Sequence, residues 1–315
     1  MRIRMVYWGG WAFLFFLMAT VAHAGNENSC RELWVIDTHA VPWYHADEAS
    51  FSKIVFYRCD GTSWIRSDAE AFAESQQPEI PTIFFVPGYT STMSDLLQIG
   101  GELLRLLGTE KSYRLVLWNW PSEKIVAGLR RDIRAKIPVA TANGDYMAFV
   151  LRSLKPQSKV ALLGFSFGNR VIGDAIESLA GDRPEGMRIR LILAAAATDR
   201  NGLADRGRNG NVPKLAEKIL VLYNPNDFRL HFYRHLYGTG YRPEALGRFG
   251  PPLAAIRPEF RDRIEAVNTH PYVGIRHQTR LFLQLPPFRH RIDSYFFFVD
   301  PQDGPCSSAG RTTHF

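Results

Sequence analysis

Eight short apolar runs recur along the chain, separated by longer segments in which apolar residues repeat with a helical period. This alternation is typical of a parallel sheet covered by helices. Several runs are apolar at successive positions, as expected of strands buried on both faces. The sequence therefore predicts an α/β fold with a mostly parallel sheet of about eight strands and helices on both faces. The predicted strands are 33–36, 54–57, 83–86, 115–118, 160–163, 189–195, 219–223 and 263–267.

Three amphipathic helices are predicted between these runs. Leucines in residues 96–107 repeat on one helical face and stop at Gly108, a residue type common just past helix ends. A second apolar face lies in residues 147–154, and a third in residues 168–179. Residues 196–218, between the sixth and seventh predicted strands, are too few for a large helical cap domain, so we expect an open site.

The first residues have the pattern of an export signal. Arg2 and Arg4 precede an apolar run over residues 5–21, and Ala22-His23-Ala24 fits the small-x-small preference of signal peptidase. We therefore expect a signal peptide over residues 1–24 and a secreted or periplasmic mature protein. An uncleaved membrane anchor is the alternative, but the run is short for a span of about 20 residues.

No internal repeat or low-complexity linker divides the rest of the chain. We expect one domain over residues 25–300, with no membrane span once the signal is removed. Residues 301–315 have the polar composition of a disordered tail.

Charge and motifs argue against several function classes. The formal net charge of +7 is spread along the chain, with no block of Lys and Arg alternating with aromatic residues, so we do not expect nucleic-acid binding. His231 and His235 have helical spacing but lack the Glu of a zincin motif, and there is no Cys-x-x-Cys. We therefore expect neither a metal site nor a cofactor. In an oxidising compartment, Cys30 and Cys59 are candidates for a disulfide.

The strongest chemical signal is Gly164-Phe165-Ser166-Phe167-Gly168. A nucleophile must stand clear of the backbone on a sharp turn from strand to helix, and flanking glycines let neighbouring chains approach that turn. An apolar strand precedes this motif directly, and an amphipathic helix follows it. The pattern makes Ser166 a candidate nucleophile; the alternative is a glycine-rich turn that carries an incidental serine.

A serine nucleophile needs an acid and a base, which in such a fold follow it in the order acid, then histidine. Asp227 comes just after the seventh strand, where loops converge at the carboxyl edge of a parallel sheet. The alternative for Asp227 is an N-cap, since residues 228–237 look helical; Asp199 is the substitute acid. After the eighth strand, His270 and His277, which opens what looks like the last helix, are the candidate bases.

The loop after the third strand is a candidate oxyanion hole. It reads Pro87-Gly88-Tyr89, and the N–H of Tyr89 together with that of Phe167, directly after the serine, would hold the negative oxygen of an acyl-transfer intermediate. The alternative is a Pro-Gly turn after a core strand.

These residues and motifs resemble the α/β-hydrolase superfamily over nearly the whole mature chain, and within it a bacterial subfamily of unknown function. The resemblance implies Ser166 as nucleophile, Asp227 as acid and His277 as base, and it favours His277 over His270. One departure is Pro87, since the superfamily commonly has His-Gly at Pro87-Gly88; this puts the geometry of the oxyanion hole in question. The segments that carry the resemblance are 32–36, 81–88, 118–122, 163–168, 223–227 and 273–277.

The expected function is hydrolysis of a carboxylic ester or thioester of a small acyl substrate through an acyl-enzyme on Ser166. The alternative is a non-catalytic protein of the same fold that binds a ligand in the periplasm or at the cell surface, which only Pro87 favours. Aromatic residues near the proposed loops either line an acyl pocket or belong to the core. They are Tyr89, Trp118, Trp120, Phe165 and Phe167.

Overall fold

A computed structural model describes residues 31–236 and 242–300. Nine strands form one sheet in the order β3-β2-β1-β5-β4-β6-β7-β8-β9. Strands β1, β2 and β3 pair antiparallel at one edge, and all other pairs are parallel. The strands are β1 Arg31–Asp37, β2 Val55–Cys59, β3 Trp64–Ser67, β4 Thr82–Val86, β5 Tyr113–Asn119, β6 Lys159–Phe165, β7 Arg188–Ala194, β8 Lys218–Tyr223 and β9 Ile264–Asn268.

The predicted fold class is confirmed, and each of the eight predicted strands corresponds to a strand of the sheet. Strand β3 is not predicted from the sequence. This strand lies at the sheet edge and is only four residues long, with Ile65 and Arg66 exposed. An edge strand that buries so little surface lacks the apolar run by which the other strands were recognised.

Three long helices cover the sheet where they were predicted. The first of them, α3 (Met93–Leu107), begins with a capping box at Thr92 and is followed by Gly108, whose φ of 74° is a conformation that glycine adopts without strain. The other two are α4 (Leu129–Arg152) and α5 (Gly168–Leu179). Helix α4 begins well before its predicted apolar face. Its first half contains Pro138 and many basic residues, so no apolar pattern marks that half in the sequence. It packs on α5 through Gly144, where an added Cβ would lie 2.6 Å from the Cβ of Asp174.

The remaining helices are short. The sequence predicts a helix over residues 228–237. Within the described part of that segment, residues 228–236, Phe228–His231 forms an α-helix and Tyr233–His235 a 3-10 turn. His277 does not open the last helix: α11 begins at Thr279, and two further helices follow it. The helices are α1 Glu48–Phe51, α2 Ala69–Glu74, α3 Met93–Leu107, α4 Leu129–Arg152, α5 Gly168–Leu179, α6 Val212–Leu215, α7 Phe228–His231, α8 Leu246–Phe249, α9 Pro258–Arg261, α10 His270–Val273, α11 Thr279–Leu283, α12 Pro286–Arg289 and α13 Ile292–Phe296; further 3-10 turns span Arg200–Leu203 and Leu253–Ala255.

The central strands β4 to β8 are buried almost throughout and form the core. Because they are parallel, their carboxyl ends meet at one edge of the sheet, and the loops that follow β4, β6, β8 and β9 carry the candidate site residues. Within residues 31–236 and 242–300, no helix combines the length and apolar character needed to cross a bilayer. The expected signal peptide, Cys30 and the C-terminal tail lie outside the described residues.

Candidate active site

Ser166 lies on a sharp turn between β6 and α5. Its φ is 52°, a left-handed conformation that costs energy for any residue with a side chain. The backbone on both sides of the serine is fixed: its N–H donates to the carbonyl of Ala194 at 3.0 Å, and its carbonyl accepts from Ala197 at 3.1 Å. The surrounding structure therefore holds a strained turn that presents the serine hydroxyl.

The two glycines of the motif are required by space. A Cβ added to Gly164 would lie 2.4 Å from the side-chain oxygen of Asn169, and one added to Gly168 would lie 2.2 Å from the carbonyl oxygen of Val86. Gly88, in the neighbouring loop, approaches the serine itself, since its added Cβ would lie 3.0 Å from the Cβ of Ser166. The motif thus allows β4, its loop and the serine turn to pack closely.

His277 bridges Ser166 and Asp227. Its Nδ1 is 2.6 Å from the Oδ2 of Asp227, and its Nε2 is 2.9 Å from the Oγ of Ser166. Asp227 is fully buried, and the His277 side chain is 6% exposed. Because a carboxylate only accepts hydrogen bonds, Nδ1 carries the proton in the neutral ring, and Nε2 is left to accept the serine O–H.

Asp227 also caps helix α7. Its second oxygen, Oδ1, accepts from the N–H of Leu230 at 2.9 Å. The two roles that the sequence offered as alternatives for this residue, partner of a histidine and N-cap, are both present in the geometry. The cap fixes the orientation of the carboxylate that faces His277.

The alternative acid and base are occupied elsewhere. The Nδ1 of His270 is 3.2 Å from the carbonyl oxygen of Gly274, and its Nε2 is 3.1 Å from the side-chain amide of Asn226. Asp199 begins a 3-10 turn and accepts from the N–H of Asn201 at 2.9 Å. The hydrogen bonds from Ser166 lead to His277 and Asp227 rather than to these two residues.

The loop after β4 is held by residues that follow β5. The indole Nε1 of Trp120 donates to the carbonyl of Pro87 at 3.0 Å. Ser122 accepts from Thr90 N–H at 2.9 Å through its carbonyl, and its hydroxyl donates to the Ser91 carbonyl at 2.8 Å. These contacts supply a support for the loop that does not depend on a side-chain donor at position 87.

Two N–H groups beside the serine are available to a ligand. Among the described residues, neither the N–H of Tyr89 nor that of Phe167 has a hydrogen-bond acceptor. The phenol of Tyr89 donates to the Oδ2 of buried Asp132 at 2.6 Å, while the other oxygen of Asp132 accepts from the N–H groups of Ile125 and Val126, each at 2.7 Å. Burial raises the pKa of the Asp132 carboxyl, but these hydrogen bonds and the charge of Lys136 together lower it by more, so the group stays ionised and anchors the loop.

Ser166 lies in a cleft of about 1050 Å³. Of the aromatic residues singled out in the sequence, Tyr89, Phe165 and Phe167 line this cleft, whereas Trp118 and Trp120 are fully buried in the core. Nearly half of the residues that line the cleft come from two segments, 124–133 and 228–236. In the part of the chain that the structure describes, no group of three or more His, Cys, Asp or Glu residues is arranged to hold a metal ion.

A second histidine at the same edge of the sheet was not singled out in the sequence. His39 follows β1, with its Nδ1 2.8 Å from Asp37 and its Nε2 3.1 Å from Glu123. Burial lowers the pKa of His39, but its hydrogen bonds to the two carboxylates raise it more, to about 9. Asp37 and His39 are close in sequence, but Glu123 is 84 residues from His39, so no local motif marks the cluster.

Comparison with known proteins gives one family. The model for alpha/beta hydrolases of unknown function (DUF900) matches residues 66–257, more than half of the chain. The matched region includes Ser166 and Asp227, and the match agrees with the resemblance that the motifs indicate. No curated protein matches the chain, and no solved structure matches it.

Proposed function

Because the chain belongs to this family of α/β-hydrolases of unknown function, we propose that it is a serine hydrolase that cleaves a carboxylic ester or thioester. The observation that carries the proposal is the unbroken line of hydrogen bonds from Ser166 through His277 to Asp227. Ser166 itself lies on a strained turn, and it lines a cleft that is large enough for an acyl substrate.

In the proposed reaction, Ser166 Oγ attacks the carbonyl carbon while its proton passes to His277 Nε2. The carbonyl oxygen becomes negative and accepts hydrogen bonds from the N–H groups of Tyr89 and Phe167. His277 then gives its proton to the leaving alkoxide or thiolate as the bond to the acyl group breaks. Buried Asp227 holds the ring in the required tautomer and stabilises the transient imidazolium.

Water completes the cycle. His277 removes a proton from a water molecule, whose oxygen attacks the acyl-enzyme; the intermediate collapses, and the proton returns to Ser166 as the carboxylic acid leaves. The same residues serve both halves of the reaction, so only one relay is needed.

The alternative, a non-catalytic binding protein, rests on Pro87. The support that Trp120 and Ser122 give to the loop weakens this argument, because the loop geometry does not require a histidine at that position. We therefore retain the hydrolase as the proposal, and the following experiment separates the two functions.

The test is reaction with a fluorophosphonate probe and with short-chain aryl esters. We expect covalent labelling at Ser166, located by mass spectrometry, and ester turnover, both lost in Ser166→Ala. Ser153→Ala, at the end of α4, removes a hydroxyl outside the cleft lining and is expected to keep both activities. A folded protein with neither labelling nor turnover would favour the binding protein.

We further propose that the chain is exported, with residues 1–24 removed and Cys30 paired with Cys59. The N-terminal residue of the protein recovered from cells should then be Gly25. In the exported protein, thiol titration under denaturing, non-reducing conditions should leave one free thiol of three, Cys306. An N-terminus at Met1, or three free thiols, would contradict this.

A further inference from the structure

Exposed apolar side chains gather around the mouth of the cleft. Three segments, residues 124–134, 228–236 and 272–277, each contribute at least one residue to the cleft lining, and together we call them the rim. Of the eleven large hydrophobic side chains that are exposed in the described residues, six lie on the rim. They are Val126, Leu129, Phe228, Phe232, Tyr272 and Ile275, with exposures of 40% to 64%.

Seven exposed basic side chains also lie on the rim. Within the described residues none of these seven forms an ion pair, whereas arginines elsewhere, such as Arg188 and Arg257, pair with carboxylates. The one acidic residue in the three segments is Asp132, which is buried and bound to Tyr89. The basic residues of the rim are Lys124, Arg130, Arg131, Arg134, Arg229, Arg234 and Arg276.

The three segments are joined into one surface. Leu129, Phe228 and Phe232 line the same cleft as Ser166. Arg134 Nε donates to the carbonyl of Leu236 at 2.6 Å, and Phe228 N–H donates to the carbonyl of Ile275 at 3.2 Å. The basic residues looked dispersed in the sequence, but the fold brings these seven together.

One partner would stabilise both halves of this surface. The free energy falls when exposed apolar side chains leave water, and it falls further when cations without an ion pair lie beside anions. An anionic lipid surface offers hydrocarbon below a layer of negative headgroups, which matches apolar tips surrounded by Lys and Arg. Half of the six apolar side chains, Val126, Leu129 and Ile275, are aliphatic and have no ring on which a nucleobase would stack, whereas all six can enter a headgroup layer. The pattern therefore fits lipid better than nucleic acid.

We propose that the rim docks the mouth of the cleft on an anionic lipid surface. In this arrangement the apolar tips enter the headgroup layer and the basic residues meet lipid phosphates. The substrate then follows, on the strength of the proposed function: an acyl ester carried by such a surface, whose chain enters the cleft toward Ser166.

The docking test does not depend on catalysis. The Ser166→Ala protein, which cannot consume the lipid, is sedimented with vesicles of phosphatidylcholine alone or mixed with phosphatidylglycerol. We expect binding to the anionic vesicles at least tenfold stronger than to the neutral ones, and weaker binding as salt concentration rises.

Two sets of substitutions in the Ser166→Ala protein locate the surface. L129S/F228S should lower binding to anionic vesicles by about tenfold or more, because each residue loses its insertion into the headgroup layer. R130Q/R131Q/R229Q should lower it by about a hundredfold, from about 1 kcal/mol per charge. F249S/L253S and R66Q/R105Q/R289Q make the same kinds of change at exposed positions outside the rim and should bind like the parent.

Other results would overturn the proposal. These are equal binding to neutral and anionic vesicles, rim variants that bind like their controls, or binding that tracks a dimer formed through the rim in solution. Thermal unfolding of each variant shows that lost binding is not lost folding. Fluorophosphonate labelling of the unmodified protein reports separately on Ser166, so the docking surface and the hydrolase fail or stand independently.

Discussion

Two histidines, His277 and His39, stand at the carboxyl edge of the same sheet in nearly the same local arrangement. Each has its Nδ1 on an aspartate, at 2.6 Å from Asp227 and 2.8 Å from Asp37. They differ at Nε2, which faces the hydroxyl of Ser166 in one case and the carboxylate of Glu123 in the other. The group that faces Nε2 therefore decides whether the histidine is a candidate base or a structural cation.

The reason lies in what each partner does with a proton. A hydroxyl donates its hydrogen bond, so the Nε2 of His277 keeps its lone pair and accepts. A carboxylate only accepts, so both nitrogens of His39 must be protonated, and its pKa of about 9 follows from the two carboxylates outweighing burial. His39 has no lone pair to offer near neutral pH, and its position at the carboxyl edge of the sheet does not make it a base.

The largest expected difference is in turnover. Replacing His277 by alanine should lower kcat for a short-chain aryl ester by at least about a thousandfold, because Ser166 loses its proton acceptor. Replacing His39 by alanine should change kcat by less than about threefold, since this ring touches no reacting group. Steady-state kinetics of the two folded variants decides this, and equal losses would remove the distinction between the two histidines.

Asp227→Asn sharpens the comparison at Nδ1. The amide still accepts the N–H of Leu230 as an N-cap, so the free energy of unfolding should change by less than about 1 kcal/mol. The ring of His277 is no longer held in one tautomer, however, and kcat should fall by about a thousandfold or more. Asp227→Ala is the matched variant: it should show the same kinetic loss together with a further loss of about 1 kcal/mol from the missing cap.

The sequence led to the relay and missed the ion cluster for a physical reason. Ser166 sits in a local motif whose strand and helix are visible in the apolar pattern, and its partners follow in a fixed chain order. The choice of His277 over His270 drew on family resemblance, since spacing alone left both open. Glu123 reaches His39 only through the parallel pairing of β1 with β5, which no short segment encodes.

The same limit applies to the rest of the molecule. The core strands were visible because burial on both faces makes them apolar, whereas edge strand β3 buries too little to leave a pattern. Residues 228–235 have a helical pattern, but the chain there forms one short α-helix and a 3-10 turn. The hydrogen bond from Trp120 to the Pro87 carbonyl also joins residues that are far apart in sequence. The sequence therefore showed that the loop departs from the superfamily pattern, but not which contacts hold it.

The pH dependence of stability tests the charge on His39. Its folded pKa of about 9 lies above its ordinary value of 6.5, so its stabilising contribution is complete below pH about 6.5 and is lost as pH rises through about 9. The ring is one-third exposed, and screening reduces the contribution to roughly 1 to 2 kcal/mol. In chemical unfolding, His39→Gln should therefore lower the free energy of unfolding at pH 6, and by less at pH 10. His290→Gln is the control, because it removes an exposed histidine. A loss of stability that does not depend on pH would contradict a charged His39.

The smallest expected effect comes from making His39 more like His277. Glu123→Gln leaves a side chain that hydrogen bonds to Nε2 but removes one of the two negative charges, so the imidazolium loses part of its stabilisation. The pKa of His39, followed by NMR of its ring protons, should fall from about 9 toward 6.5, while kcat stays within about twofold because Ser166 and His277 are untouched. Glu110→Gln, which removes an exposed carboxylate that accepts a hydrogen bond from Thr109, controls for the change in net charge. A pKa that stays near 9 would assign the charge on His39 to Asp37 alone, and the difference between the two histidines would then lie at Nδ1 rather than at Nε2.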